Sequence, residues 1–180
     1  SPPEEADAVT LAIFEVKMVD GEAVYSKSNT IAEPNNAGDN TDSAEYVVLA
    51  VGTDGEPLAT QPVGLVGNVD VNVGAVLDNE AGDAADAYAD NDSVGTQTVA
   101  LGQTFTVTAE DDIFADNGET FEVTLVKDSL TTEADYEEII YDDKAVVTTI
   151  EDATKPEGEP PVSPPEEADA VTLAIFEVKM

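Results

Sequence analysis

The densest run of chemically capable side chains is Glu110-Asp111-Asp112-Ile113-Phe114-Ala115-Asp116-Asn117-Gly118-Glu119, followed by Thr120-Phe121. Carboxylates this close together are hard oxygen donors. Ca²⁺ takes six to eight oxygens at roughly 2.3–2.6 Å, which clustered carboxylates and loop carbonyls can supply. Without a cation the same groups repel and raise one another's pKa. Catalytic chemistry finds no comparable support. Cys and His are absent, which excludes thiol chemistry, disulfides, Cys/His zinc sites and imidazole acid/base catalysis. With 40 acidic side chains in 180 residues, pairs of carboxylates arise by chance. No Ser-centred elbow or phosphate-binding loop is present, so the chain does not read as an enzyme.

The charge balance narrows the partners. Forty Asp and Glu oppose six cations, all of them Lys, for a formal net charge of −34. Nucleic acid is excluded as a partner because its phosphates must be neutralised by Lys and Arg. Anionic membrane surfaces are excluded by the same sign argument. No stretch reaches the roughly 20 apolar residues of a membrane span, so membrane insertion is not expected. Apolar types make up 42% of the chain, enough for a packed core. That much negative charge costs compact-state stability unless ionic strength or specifically bound cations offset it.

Period-2 alternation and β-branched residues recur, while helical periodicity is weak. The strand candidates are residues 8–19, 45–51, 69–77, 97–109, 119–127 and 144–150. In the first, the odd positions Val9, Leu11 and Ile13 and the even positions Ala12 and Phe14 are both apolar, which suits a strand buried on both faces. Phe105 and Val107 face opposite to Thr104, Thr106 and Thr108, and Phe121, Val123 and Leu125 repeat the pattern. Asp20-Gly21, Asp54-Gly55, Gly67-Asn68 and Asn117-Gly118 supply turns. The expected fold is all-β, an antiparallel immunoglobulin-like β-sandwich of about seven strands with long acidic loops. Residues 26–44 and 78–95 read as those loops, with a short helix at 81–89.

The ends of the chain are the same sequence. Residues 1–18, SPPEEADAVTLAIFEVKM, recur without a mismatch at 163–180, a period of 162 residues. A period this long is a domain rather than a solenoid unit of roughly 20–50 residues, so the chain reads as one repeat of a tandem array plus the start of the next. The domain boundaries follow: a β-sandwich repeat at 1–152, a Pro-rich linker at 153–168, and the next repeat's first strand at 169–180, a duplicate of 7–18. Five prolines between 153 and 168 favour an extended, semi-rigid spacer. The duplicated strand can also replace the first one in its own or a neighbouring chain, which predicts strand-swapped self-association through 169–180.

The run from 110 to 125 resembles the Calx-beta family, an immunoglobulin-like sandwich. Its signature is an acidic pair, a short acidic turn and Glu-Thr-Phe-x-Val-x-Leu entering a strand. Here these are Asp111-Asp112, Asp116 and Glu119 through Leu125. The family's closing strand runs into acids, and Val146 to Asp152 (VVTTIED) is similar. The resemblance covers residues 97–152. It implies Ca²⁺ held at one tip by Asp111, Asp112 and Glu119 with the terminal acids Glu151 and Asp152, and Asp116 in the turn completes the candidate metal set. Asp39, Asp42 and Glu45, and Asp83 to Asp92, are secondary acidic clusters that do not fit an EF-hand. Glu4, Glu5 and Asp7, with their copies Glu166, Glu167 and Asp169, flank the linker and suit an interdomain Ca²⁺ joint. Lys17 and Lys144 are candidates for a Lys–Asn/Asp isopeptide bond, against the plain alternative of solvent-facing amines.

The expectation is a structural extender domain of a tandem-repeat adhesin on the surface of a Gram-negative bacterium. Ca²⁺ would stiffen it, and its partners would be the neighbouring repeats of the same polypeptide. Two alternatives stand: a glycan- or protein-binding module using the long loops, and a salt-adapted extracellular domain without specific ion sites.

Overall fold

A computed structural model describes residues 6–34, 42–75, 91–110, 118–131 and 136–151. These residues are all-β, with no helix among them, in ten strands: β1 (Ala6–Val19), β2 (Glu22–Ser26), β3 (Ser28–Ala32), β4 (Ser43–Val51), β5 (Asn68–Val73), β6 (Gly95–Ala100), β7 (Phe105–Thr108), β8 (Glu119–Leu125), β9 (Tyr136–Tyr141) and β10 (Val146–Glu151). They form two five-stranded sheets. One runs β2-β1-β4-β7 with β9 added beside β1; the other runs β3-β10-β8-β5-β6.

The β-sandwich read from the sequence is present, with three differences. The segment 97–109 is two strands, because Gly102 adopts φ 75° and the Gln103 N–H donates to the Ala100 carbonyl at 3.2 Å, closing a turn. Strands β2, β3 and β9 were not legible, being short and edge-placed. The sheets are also not purely antiparallel: β3 runs parallel to β10 and β9 parallel to β1. The expected helix at 81–89 lies outside the described residues.

Strand β1 carries the first sheet. Its C-terminal half pairs with β2 across a hairpin whose turn residues Asp20 and Gly21 both have positive φ, 51° and 84°. That pair matches the right-handed twist of the flanking strands and explains the Asp-Gly at this point. Its N-terminal half pairs with β9 on the same edge, and its other edge pairs with β4 from Thr10 to Val16. Val9, Leu11 and Ile13 point between the sheets, into a core completed by Tyr46, Val48, Val69, Val71, Val73, Val107, Phe121, Val123 and Val146. Ala12, Phe14 and Val16 point the other way and form a second buried cluster with Val47, Leu49 and Val51. Burial on both faces is why the alternation along 8–19 is apolar at odd and even positions alike.

Beyond β7 the edge of β4 is finished by a side chain. The Gln61 carboxamide accepts from the Ala50 N–H at 2.7 Å and donates to the Ala50 carbonyl at 2.9 Å, standing in for a neighbouring strand. Lys27 clasps the corner between β2 and β3. Its Nζ donates to Asp142 Oδ2 at 3.1 Å and to the Lys144 carbonyl at 3.2 Å, and it sits 4.6 Å from the centre of the Phe14 ring.

One polar layer interrupts the core. The Tyr46 and Thr148 hydroxyls lie 2.6 Å apart, and Thr148 donates to Asn29 Oδ1 at 2.6 Å. Glu15, opposite Tyr46 in register, is 2% exposed, and its Oε1 lies 3.5 Å from Lys17 Nζ. Burial raises the Glu15 pKa above the usual carboxyl value and outweighs the lowering by Lys17. Burial also raises that of Tyr46.

A carboxyl that titrates higher folded than unfolded stabilises the fold below its unfolded pKa and loses that contribution as pH rises through the folded value. Glu15→Gln should therefore raise the urea midpoint at pH 7 and remove a stability component that falls as pH rises above the ordinary carboxyl range. An unchanged or lower midpoint would contradict this. In the same assay Phe121→Ala, at a fully buried site, should cost about 3–5 kcal/mol. Val63→Ala, at 92% exposure, should stay within about 0.5 kcal/mol.

Candidate metal centre at the acidic end

Register fixes which strand ends lie together. Strands β4 and β8 start, and β1, β7 and β10 finish, at one end of the sandwich. In the second sheet β3, parallel to β10, and β5, antiparallel to β8, finish there as well. Three long connections depart from and return to this end: from Glu33 to Asp42, from Gly74 to Asn91 and from Glu110 to Gly118. All three are acidic in sequence. The described residues of the opposite end include the connection 52–67 and the turn 101–104.

Two carboxylates at this end belong to the core faces. Strand β8 alternates so that Glu119, Phe121, Val123 and Leu125 all point inward, and Glu119 is 4% exposed. On β3 the inward series is Asn29, Ile31 and then Glu33, also 4% exposed. Strand β10 lies between them: Ile150 stands opposite Glu119 on one side and Ile31 on the other. The Glu33 N–H donates to the Glu151 carbonyl at 2.9 Å, and the Gly118 N–H donates to the Ile150 carbonyl at 3.0 Å. These bonds hold Glu33, Glu119 and the end of β10 as one rim. Gly118 reaches φ 94° just before Glu119, which accounts for glycine in the Asn-Gly pair.

Of the residues selected from the sequence, Glu119 lies buried on this rim and Glu151 is exposed at the last position of β10. Asp111, Asp112, Asp116 and Asp152 lie outside the described residues, as do Glu4, Glu5, Glu166, Glu167 and Asp169. Glu33 was missed because residues 26–44 read as a loop. The period-2 series Asn29, Ile31, Glu33 was the available signal. Among the described residues no group of three or more acids is close enough to hold a metal. Those residues therefore give two inward-facing carboxylates at the root of the acidic run, a hard-donor set free of His and Cys that suits an oxygen-preferring divalent cation.

A second set of polar groups at this end is already committed. Asp92 Oδ1 accepts from the Thr108 N–H at 3.0 Å and from the Ser93 hydroxyl at 2.6 Å, and the Asp92 N–H donates to the Thr108 carbonyl at 3.0 Å. Asn91, 1% exposed, receives the Ser93 N–H on Oδ1 and donates to the Gly74 carbonyl. Asn91 and Asp92 thus fasten the returning connection onto β7. They do structural work in a cluster that the sequence offered as a secondary metal candidate.

Lys17, 59% exposed at its side chain, pairs with Glu15, and Lys144 is exposed before β10 with its carbonyl held by Lys27. No helix among the described residues is long and apolar enough to cross a membrane.

No protein-family model matches the chain and no curated protein matches it. Solved structures with a similar backbone include the apo form of the Calx CBD1 domain, at 12% identity and TM-score 0.44, covering 80% of this chain and 98% of that one. Another is the calcium-binding domain CBD12 of CALX1.1, at 16% identity and TM-score 0.38, covering 70% of this chain and 42% of that one.

The two roles at this end separate by mutation. In isothermal titration with CaCl₂, Glu119→Gln and Glu33→Gln should each weaken binding at least tenfold, whereas Asp92→Ala should leave affinity within twofold. In urea, Asp92→Ala should lower stability by about 1 kcal/mol through its lost hydrogen bonds. Undiminished affinity in both Glu variants would remove them from the ligand set.

Proposed function

We propose that this chain is a calcium-stiffened extender repeat, a β-sandwich unit that spaces and orients neighbouring copies of itself within a larger surface adhesin, with no catalytic role. The observation that carries the reading is the union of two features at one end of the fold. Buried Glu33 and Glu119 mark the root of the acidic run, and β10 delivers the chain at that end toward the linker.

The ligand set in this reading is Glu33 and Glu119 from the rim, with Asp111, Asp112 and Asp116 from the connecting run and Glu151 and Asp152 after β10. Bound Ca²⁺ would supply positive charge where burial and mutual repulsion penalise carboxylates. The protein's own contribution is to hold two of the acids rigidly. Glu119 is fixed by the β8–β10 ladder and Glu33 by its backbone bond to Glu151.

The extender role draws on chain direction. Strand β1 starts at the end opposite to that where β10 finishes, so successive sandwiches joined by the Pro-rich linker extend along a line instead of doubling back. The identity of residues 1–18 and 163–180 supports such an array. Absence of Cys and strong acidity suit an extracellular location on a Gram-negative cell. Acids that join Glu151 and Asp152 across the linker would limit bending between repeats.

Thermal unfolding at fixed ionic strength tests the proposal against simple salt adaptation. Ligand binding to the folded state stabilises it by RT ln(1 + [L]/Kd), about 2.7 kcal/mol at a hundredfold excess over Kd. The melting temperature in millimolar Ca²⁺ should exceed that in EDTA by several degrees. Superimposed curves would defeat the calcium reading and favour the salt-adapted alternative.

A further inference from the structure

We propose that the slot occupied by β1 also accepts residues 169–180 of the same chain, so that the sandwich exchanges its first strand for the duplicate. This stands independently of calcium binding.

The slot is built for one particular sequence. Strand β1 is bonded along both edges, to β4 on one side and to β2 and β9 on the other, and it supplies side chains to both apolar clusters. Leu11, Ala12 and Ile13 are fully buried there, and Phe14 is 4% exposed. A foreign strand would have to match two faces and two edges together, so chance occupancy is excluded. Residues 168–180 repeat 6–18 letter for letter and therefore reproduce these contacts, including the Glu15 position by Glu177 and the Lys17 position by Lys179. Only Val19 and the turn that follows it are missing from the duplicate.

The tether is long enough. Strand β10 ends at Glu151, at the end of the sandwich where β1 finishes. The duplicate must enter from the opposite end, running parallel to β9 as β1 does. Residues 152–168 span up to about 56 Å when extended, whereas the 14 residues of β1 cover about 46 Å. The chain can therefore return along the sandwich and enter the slot in the native direction.

Because both strands make the same contacts except at Val19, connectivity is the main difference between them. The original strand is joined to β2 by a two-residue turn, the duplicate by a 17-residue tether whose closure costs more entropy. The original therefore holds the slot in the intact chain, and the duplicate takes it when the original is disabled.

The test uses the full chain and the fact that the two copies can be mutated separately. Ile13→Asp places a carboxylate at a fully buried site, and Ile175→Asp changes the same position of the duplicate. Ile13→Asp should stay folded and monomeric, with hydrogen-exchange protection lost from amides 8–16 and gained by 170–178. Ile175→Asp alone should keep the native protection pattern, and the double variant should lose cooperative unfolding. The proposal is overturned if Ile13→Asp unfolds like the double variant, if 8–16 stay protected in it, or if light scattering finds it folded only as a dimer.

Discussion

Each long connection that leaves the rim of Glu33 and Glu119 is acidic, so the sandwich closes at that end only against like-charge repulsion. The strand pairings leave no freedom here. With β4 and β8 starting at this end and β3, β5, β7 and β10 finishing there, segments 33–42, 74–91 and 110–118 must begin and end together. The acids of these three segments are thus rooted by topology at one end. The rim resists with what the backbone offers: the ladder between β8 and β10, the Glu33–Glu151 and Gly118–Ile150 bonds, and the Asn91–Asp92 fastening on β7.

The rest of the fold supplies rigidity from the other direction. Strand β1 is the stave around which the first sheet assembles. The side chains that stabilise it also fix how the chain enters the domain, because its first residue lies at the end opposite the acidic rim. The direction in which the chain enters and the position of the acidic end are two consequences of one set of registers. The proposed array would place one acidic rim at every joint.

Much of this was legible in the residues themselves. The apolar odd and even positions between Val9 and Val16 announced a strand buried on both faces. Phe121, Val123 and Leu125 announced one buried face, and Asp20-Gly21 announced its hairpin. Glu119 was identified by motif and takes the first inward position of its strand. What stayed hidden has a common cause. Strands β3 and β9 are short and gain their pairing from partners distant in sequence: β3 from β10, β9 from the start of β1. Local pattern carries no trace of such pairing, and Glu33, inward only because β3 exists, was hidden with it. The parallel pairings escaped for the same reason. Composition likewise cannot distinguish a free carboxylate from one that, like Asp92, is held by the Thr108 N–H.

The central claim is that cation binding is localised at the rim and transmitted to the backbone there. Amide hydrogen exchange, compared between EDTA and millimolar Ca²⁺ at one ionic strength, addresses it residue by residue. The account predicts added protection at Glu33, Gly118, Glu119 and Glu151 and in the connections between them, with residues 52–67 and 101–104 at the opposite end unchanged. Protection spread evenly over both ends, or none at all, would contradict it.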